Sequence, residues 1–291
     1  MRPDGEREVA RRNGSVVRQR QLGRTLRELR EEAGLTLEEA APRLDWSTSK
    51  LSRIEIAQQS IDVHGVRSML DLYGVGGERW TQILELTRQA RERGWWRAYG
   101  LTGLGYVAIE TEATLVRDFT LGFVPGLLQT ADYAHALFTA SLNRRTDAQR
   151  ENQIAVRMIR QERLTSTEHP LALVAIVEES VLHRPVGGAE VMRAQHIHLM
   201  EAAELPTVTL QVLPGDIGAH PGLDGAFTLL SFGELDEPDV AYVEHPMGAV
   251  HLQKEADVAR ATLVFDGLRS DALSPTDSGA LIRRLVEGSQ A

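Results

Sequence analysis

The chain has 291 residues, 42% of them hydrophobic and 25% charged, a size suited to two domains and a composition ordinary for a folded globular protein. It contains no cysteine, which excludes disulfides, zinc ribbons and thiol nucleophiles and fits a reducing compartment. The net charge of −9 is unevenly spread: residues 1–60 hold 12 Lys+Arg against 10 Asp+Glu and the remainder 20 against 31, so a mildly basic module precedes an acidic body.

Residues 1–16 mix charge, Gly and Asn without periodicity and read as a mobile arm. The opening MRPDGEREVARRNGS lacks the apolar stretch of a signal peptide, and no run is long enough to span a bilayer, so a cytoplasmic protein with no membrane contact is expected. From Val17 a helical pattern begins, with Leu22, Leu26 and Leu29 recurring on one face and Gly34 as a C-terminal cap. Thr36 caps a second helix, with Glu39 as its capping-box partner. Ser47 caps a third, through Leu51 and Ile54; Asp62 opens a fourth, through Val66, Leu70 and Tyr73 to Gly74; a fifth spans 78–93. The aromatic, glycine-rich stretch 94–105 reads as a linker.

Beyond it, periodicity predicts helices over 110–119, 132–141 and 148–164. Runs rich in Val, Leu, Phe and Tyr at 171–178, 208–213, 227–232 and 240–244, bounded by Gly, Pro and Asp, predict strands of one sheet. A helix over 189–203 lies between the first two, and another over 256–269 closes over the sheet. The expected fold is α+β and multidomain. An all-α five-helix domain covers 17–93, and an α+β domain covers 106–291, with one mainly antiparallel sheet covered by helices.

The clearest functional signal is LGRTLRELREEAGLTLEEAAPRLDWSTSKLSRIE, residues 22–55. Its two central helices are short and the turn 44–47 between them is tight, so they cross steeply and the second projects from the body, free to enter a major groove. Leu51 and Ile54 supply the buried side. Thr48, Ser49, Lys50, Ser52 and Arg53 fill the exposed positions with small or cationic side chains that reach base edges or phosphates of double-stranded DNA. Arg53 suits a bidentate guanine contact and Lys50 a phosphate or guanine. Ser47, Thr48 and the helix N-terminus at Thr36 suit phosphates.

This segment resembles the helix-turn-helix of the XRE (Cro/phage-repressor-like) family. The resemblance implies a buried ion pair between Arg30 and Glu55 that locks the domain. Two features depart from the family pattern. Pro42 sits inside the second helix and should kink or shorten it. Ile56-Ala57 stands where the family turns with Asn-Gly, so the turn loosens or the helix runs on. A module this small gains affinity by pairing on a palindrome, so a homodimer is expected.

Further stretches are similar to one group within that family, actinobacterial antitoxin-like regulators with an uncharacterised C-terminal domain. They are Trp95-Trp96, FVPGLLQT at 123–130 with Tyr133-Ala134, residues 157–163, Glu178-Glu179, LHRPVGG at 182–188, VLP at 212–214, GAH at 218–220 and FTLL at 227–230. The resemblance implies a repressor or activator tuned through residues 106–291. An alternative is an antitoxin-like protein whose main task is binding a small neighbouring-gene protein partner, with autoregulation. A small-molecule ligand also stays open.

Catalytic chemistry finds little support. Six histidines lie beyond His169, but His196 and His198, two apart on a helix, point to nearly opposite sides, and no H-E-x-x-H occurs, so no metal and no cofactor are expected. The S-x-x-K at 47–50 lacks the companion motifs of penicillin-binding enzymes, and the glycines at 100, 103 and 105 follow no strand. Glu178 and Glu179 at a strand end can serve as a general base, though such termini are usually solvated. The chain is therefore expected not to be an enzyme, and a ligand-sensing or metal-dependent domain is a remote alternative. The aromatic group Trp95, Trp96, Tyr99, Tyr106 and Phe119 reads as inter-domain core before pocket or dimer interface.

Overall fold

A computed structural model describes residues 15–92, 94–101, 105–142, 145–233 and 237–288. The arm expected at 1–16 lies, up to residue 14, outside the described residues, as do 102–104 of the expected linker. The chain divides into two compact units, one running to Glu112 and the other beginning at Ala113.

The first unit contains α1 (Ser15–Glu32), α2 (Leu37–Arg43), α3 (Thr48–Glu55), α4 (Val63–Leu72) and α5 (Gly77–Arg91). One core joins them: Leu22, Leu26 and Leu29 of α1 meet Leu51 and Ile54 of α3, Met69 and Leu70 of α4, and Ile83 and Leu84 of α5, none more than 4% exposed. Each such side chain contributes about 2 kcal/mol by leaving water. Thr36, Ser47 and Asp62 each accept the amide three residues on, so α2, α3 and α4 all begin on a side-chain cap worth roughly 1 kcal/mol. Gly34 and Gly74, both at φ 71°, turn the chain out of α1 and α4, and the Leu35 and Val75 amides reach back to the carbonyls of Arg30 and Leu70. α2 keeps Pro42 inside its last turn and ends at Arg43, where the Leu44 amide returns to the Ala41 carbonyl and Asp45 at φ 55° turns the chain away. A 3-10 turn (Trp95–Tyr99) and α6 (Tyr106–Glu110) complete this unit, with Trp95 and Trp96 buried edge-to-face.

The second unit is built on a six-stranded sheet of β1 (Leu115–Thr120), β2 (Ala172–Glu178), β3 (Val208–Leu213), β4 (Phe227–Ser231), β5 (Val240–His245) and β6 (Gly248–Leu252), in the order β3-β2-β1-β4-β5-β6. β1, β2 and β3 run parallel, while β4, β5 and β6 continue antiparallel from β1, so antiparallel pairings outnumber parallel ones in a mixed sheet. Parallel neighbours need long crossovers. These are α7 (Ala131–Ala140) with α8 (Asp147–Gln161), then α9 (Glu179–His183) with α10 (Ala189–Ala203). Then α11 (Glu255–Asp271) covers one face, its Phe265 and Leu268 packing on Phe119, Ile176, Leu229 and Ala241. Finally α12 (Pro275–Gly288) closes the β3 edge: the Leu273 amide donates to the Val212 carbonyl and the Val212 amide to Ser278 Oγ, both at 2.9 Å.

One expected element is replaced. The helix expected at 110–119 is instead the end of α6 followed by the central strand β1. Arg117 and Asp118 in mid-strand disguise it, and both find a partner across the sheet. Arg117 Nη2 donates to Asp239 at 2.9 Å, and Thr228 Oγ1 donates to Asp118 at 3.0 Å. β6 and α12 are additions that periodicity did not announce.

Candidate nucleic-acid interface

α2 and α3 are joined by the turn 44–47, where Asp45 takes φ 55° and Trp46 N–H returns to the Ala41 carbonyl at 2.9 Å. At about 100° per residue, Leu51, Ile54 and Glu55 share one side of α3, and all three are buried. Ser49 and Arg53 lie directly opposite and are exposed, as is Thr48. Lys50 and Ser52 fall on the flanks and are half-buried, less open than expected. Lys50 Nζ sits 4.0 Å from the centre of the Trp46 ring, a cation–π contact that holds the ammonium beside the turn.

The caps define what the helix ends offer. Ser47 Oγ accepts the Lys50 amide at 3.1 Å and is exposed. Thr36 is more committed: its hydroxyl donates to Glu39 Oε2 at 3.0 Å and accepts the Glu39 amide at 3.3 Å, while its own amide donates to Glu39 Oε2 at 2.9 Å. Those bonds from Thr36 hold the Glu39 carboxyl below the usual carboxylate range. The N-terminus of α2 thus carries its own anion where a phosphate was expected.

Behind α3 the support is rigid. Arg30 Nε and Nη2 donate to the two oxygens of Glu55 at 2.7 and 2.9 Å, and Nη1 donates to the Leu35 carbonyl at 2.7 Å. Arg30 and Glu55 are 6% and 5% exposed, so this is the buried pair that the sequence resemblance implied. The hydrogen bonds to Glu55 raise the Arg30 pKa, and burial with the nearby Glu55 charge raises that of Tyr73.

Gly23 of α1 makes a close approach unremarked in the sequence: a Cβ there would lie 2.6 Å from the Glu55 carbonyl oxygen and 2.9 Å from that of Ile54. A glycine inside a leucine-periodic helix is the signal that marks it. α3 does not run on: Ala57 adopts φ 56°, and the Gln58 amide closes on the Arg53 carbonyl at 2.8 Å. Ala57 makes the turn that Asn-Gly makes elsewhere, at a cost of about 1 kcal/mol for a left-handed alanine. Ile56, 52% exposed, extends the outward line of α3.

Arg53, like the exposed Arg43 of α2, is not tied to a carboxylate among the described residues. Arg27, Arg79 and Arg88 are exposed but pair with Glu31, Glu32 and Glu85, each at 2.8 Å. Among the described residues, the Arg53 guanidinium has no hydrogen-bond or ion-pair partner.

In the second unit, the glutamates and histidines singled out in the sequence do gather. Glu178 Oε1 lies 3.3 Å from His220 Nε2, and its other oxygen accepts Ser180 Oγ at 2.8 Å. Glu179 accepts the Gly215 amide at 2.9 Å and lies 3.6 Å from His183. The Glu178 carboxylate therefore stands between hydroxyl and imidazole. His196 is buried, with Nε2 2.8 Å from the Leu182 carbonyl, and burial lowers its pKa; burial also lowers that of His198. Among the described residues, no group of three or more His, Asp or Glu side chains is placed to hold a metal ion. Phe119 belongs to the second unit, in the sheet core against Phe227.

Residues 21–80 match the model of a helix-turn-helix domain, and residues 105–284, more than half of the chain, match that of a domain of unknown function, DUF5753. The chain belongs to the DUF5753 family. No curated protein and no solved structure gave a significant match. In this DUF5753 chain the helix-turn-helix match takes in α2, α3 and every residue expected to meet DNA, which makes the first unit the mark of a DNA-binding regulator. No described helix is long and apolar enough to cross a membrane.

Proposed function

We propose that the chain is a cytoplasmic, sequence-specific transcription regulator of the XRE type, which enters the major groove with α3. The observation that carries this reading is the outward line of α3: exposed, unpartnered Arg53 beside Ser49, on a helix braced from behind by Arg30–Glu55 and the close approach at Gly23. Arg53 takes a guanine through its two parallel donors, and Ser49 lies against the neighbouring base. Lys50, Ser52, Ser47 and Thr48 flank that line and hold phosphates, with Lys50 positioned by Trp46. Thr36 contributes least, because Glu39 already occupies its donors.

The regulator acts as a homodimer on a palindromic operator, since a single half-site gives limited affinity. Its activity is tuned through the second unit, in keeping with the antitoxin-like regulators it resembles. The second unit's task is binding rather than catalysis; at Glu178 the carboxylate, not the imidazole, meets the Ser180 hydroxyl, so no Ser–His pair of the hydrolase kind forms there.

The test is binding of the purified chain to its own upstream DNA, titrated against salt and scrambled competitor. Competitor-resistant binding with a steep salt slope is expected. Equal affinity for scrambled DNA removes the reading.

A further inference from the structure

The inner side of α11 is committed to the sheet, through Val258, Phe265 and Leu268. Its outer side is not. Leu263, in the middle of the helix, is 74% exposed and surrounded along that side by short or charged residues. Arg260 and Asp266 stand three residues before and after it, both exposed. Neither side chain has a hydrogen-bond or ion-pair partner among the described residues. Ala259 and Gly267 stand four residues before and after, one a methyl group and the other a bare backbone. Steps of three and four residues form a seam of the kind that meets another helix.

We infer that this face pairs two copies of the chain, α11 against α11, antiparallel about a two-fold axis through Leu263. The charges select that occupant and that direction. A rise of about 1.5 Å per residue puts Arg260 and Asp266 roughly 4.5 Å to either side of Leu263. Antiparallel pairing then sets Arg260 against the partner's Asp266 and Asp266 against the partner's Arg260, two ion pairs generated by one axis. Parallel pairing sets like charges against each other. Leu263 meets its own copy, and the small residues at Ala259 and Gly267 let the two backbones approach. Between Ala259 and Gly267 the face carries one charge of each sign; the acidic Glu255 and Asp271 lie at the two ends of the helix.

This surface supplies the dimer that a palindromic operator calls for, and only its consequence on DNA rests on the function proposed above; the pairing itself is measured without DNA. Sedimentation of the full chain at about 10 μM, with circular dichroism as a check on folding, tests it. The wild type sediments as a dimer, and Leu263→Glu raises the dimer dissociation constant at least tenfold, as do Arg260→Glu and Asp266→Arg separately. An equimolar mixture of Arg260→Glu with Asp266→Arg restores the dimer. In the mixed pair the introduced glutamate of one copy meets the introduced arginine of the other, and the remaining native Asp266 meets the remaining native Arg260. A monomeric wild type, a dimer unmoved by Leu263→Glu, or a mixture that stays monomeric overturns the inference. Because all of these are read without DNA, none bears on whether α3 binds an operator.

Discussion

In the helical unit, charge is buried at Glu110 and Glu112 and, as a direct ion pair, at Arg30–Glu55, which ties the end of α1 to the end of α3. In the sheet unit it is spread along the central strand β1, where Arg117 reaches Asp239 and Asp118 receives Thr228, each half-open to solvent. A concentrated, fully desolvated pair makes one element rigid at the risk of collapse when either partner is lost. A distributed set tolerates single losses, because water and neighbours take over. The difference suits the roles proposed for the two units: a reading helix must keep its angle, whereas a strand inside a sheet is held by its ladder on both sides.

The largest expected effect follows directly. Glu55→Ala leaves the buried Arg30 with only the exposed Glu31 at 3.5 Å and the Leu35 carbonyl; it should cost about 3–5 kcal/mol and lower the helical unit's denaturation midpoint while sparing that of the sheet. Asp239→Ala costs only about 1 kcal/mol. Equal losses in the two variants, read by chemical denaturation, would erase the contrast. Next comes Gly23→Ala, whose methyl group strikes the carbonyls of Ile54 and Glu55. It should destabilise the helical unit by about 1–3 kcal/mol and weaken DNA binding as α3 is displaced. Unchanged stability there would mean that α1 and α3 slide freely.

Ala57→Gly works the other way. It relieves a left-handed alanine and should stabilise by about 0.5–1 kcal/mol, visible as a higher melting temperature. The smallest effect separates the units by pH. Burial depresses the His196 and His198 pKa values, so the stability they contribute is whole above the unfolded histidine value of about 6.5 and is lost as pH falls through the depressed folded values. In the helical unit, the shifted groups that titrate in acid are carboxylates instead. Glu31 is lowered by its hydrogen bond to Arg27, Glu32 by Arg79, and Asp62 by the Gly65 amide. Their contribution holds above the ordinary carboxylate range and is lost only as pH falls through their lower folded values. Melting scans from pH 7 to pH 3 should show the sheet unit weakening first; the opposite order would refute the assignment.

The helical unit was legible in the sequence because its signals are local. Thr36 and Glu39, Ser47, Asp62, Gly34 and Gly74 announce caps and stops within a few residues, and the leucine spacing announces the core. Strands rich in Val and Leu, such as β2 and β3, were legible for the same reason. β1 was not, since the residues that satisfy Arg117 and Asp118 lie more than 100 positions away in sequence. β6 is short and glycine-led, and α12 is tied to β3 by Ser278, a contact no periodicity shows. At the interface itself, residue types on α3 were readable, but Lys50 folding over Trp46, Glu39 occupying the α2 terminus, and the approach at Gly23 depend on three-dimensional neighbours.

The central claim is that α3 reads base sequence through Arg53. Its most direct test is to select the preferred site from a random DNA pool with the wild type, then measure Arg53→Ala and Lys50→Ala on every single-base variant of that site. Arg53→Ala should lose about 1–3 kcal/mol of discrimination at one G·C pair per half-site, with the other positions still read. Lys50→Ala should weaken binding about evenly across all variants. If Arg53→Ala keeps the wild type's discrimination at every position, α3 is not the reading element and the account fails.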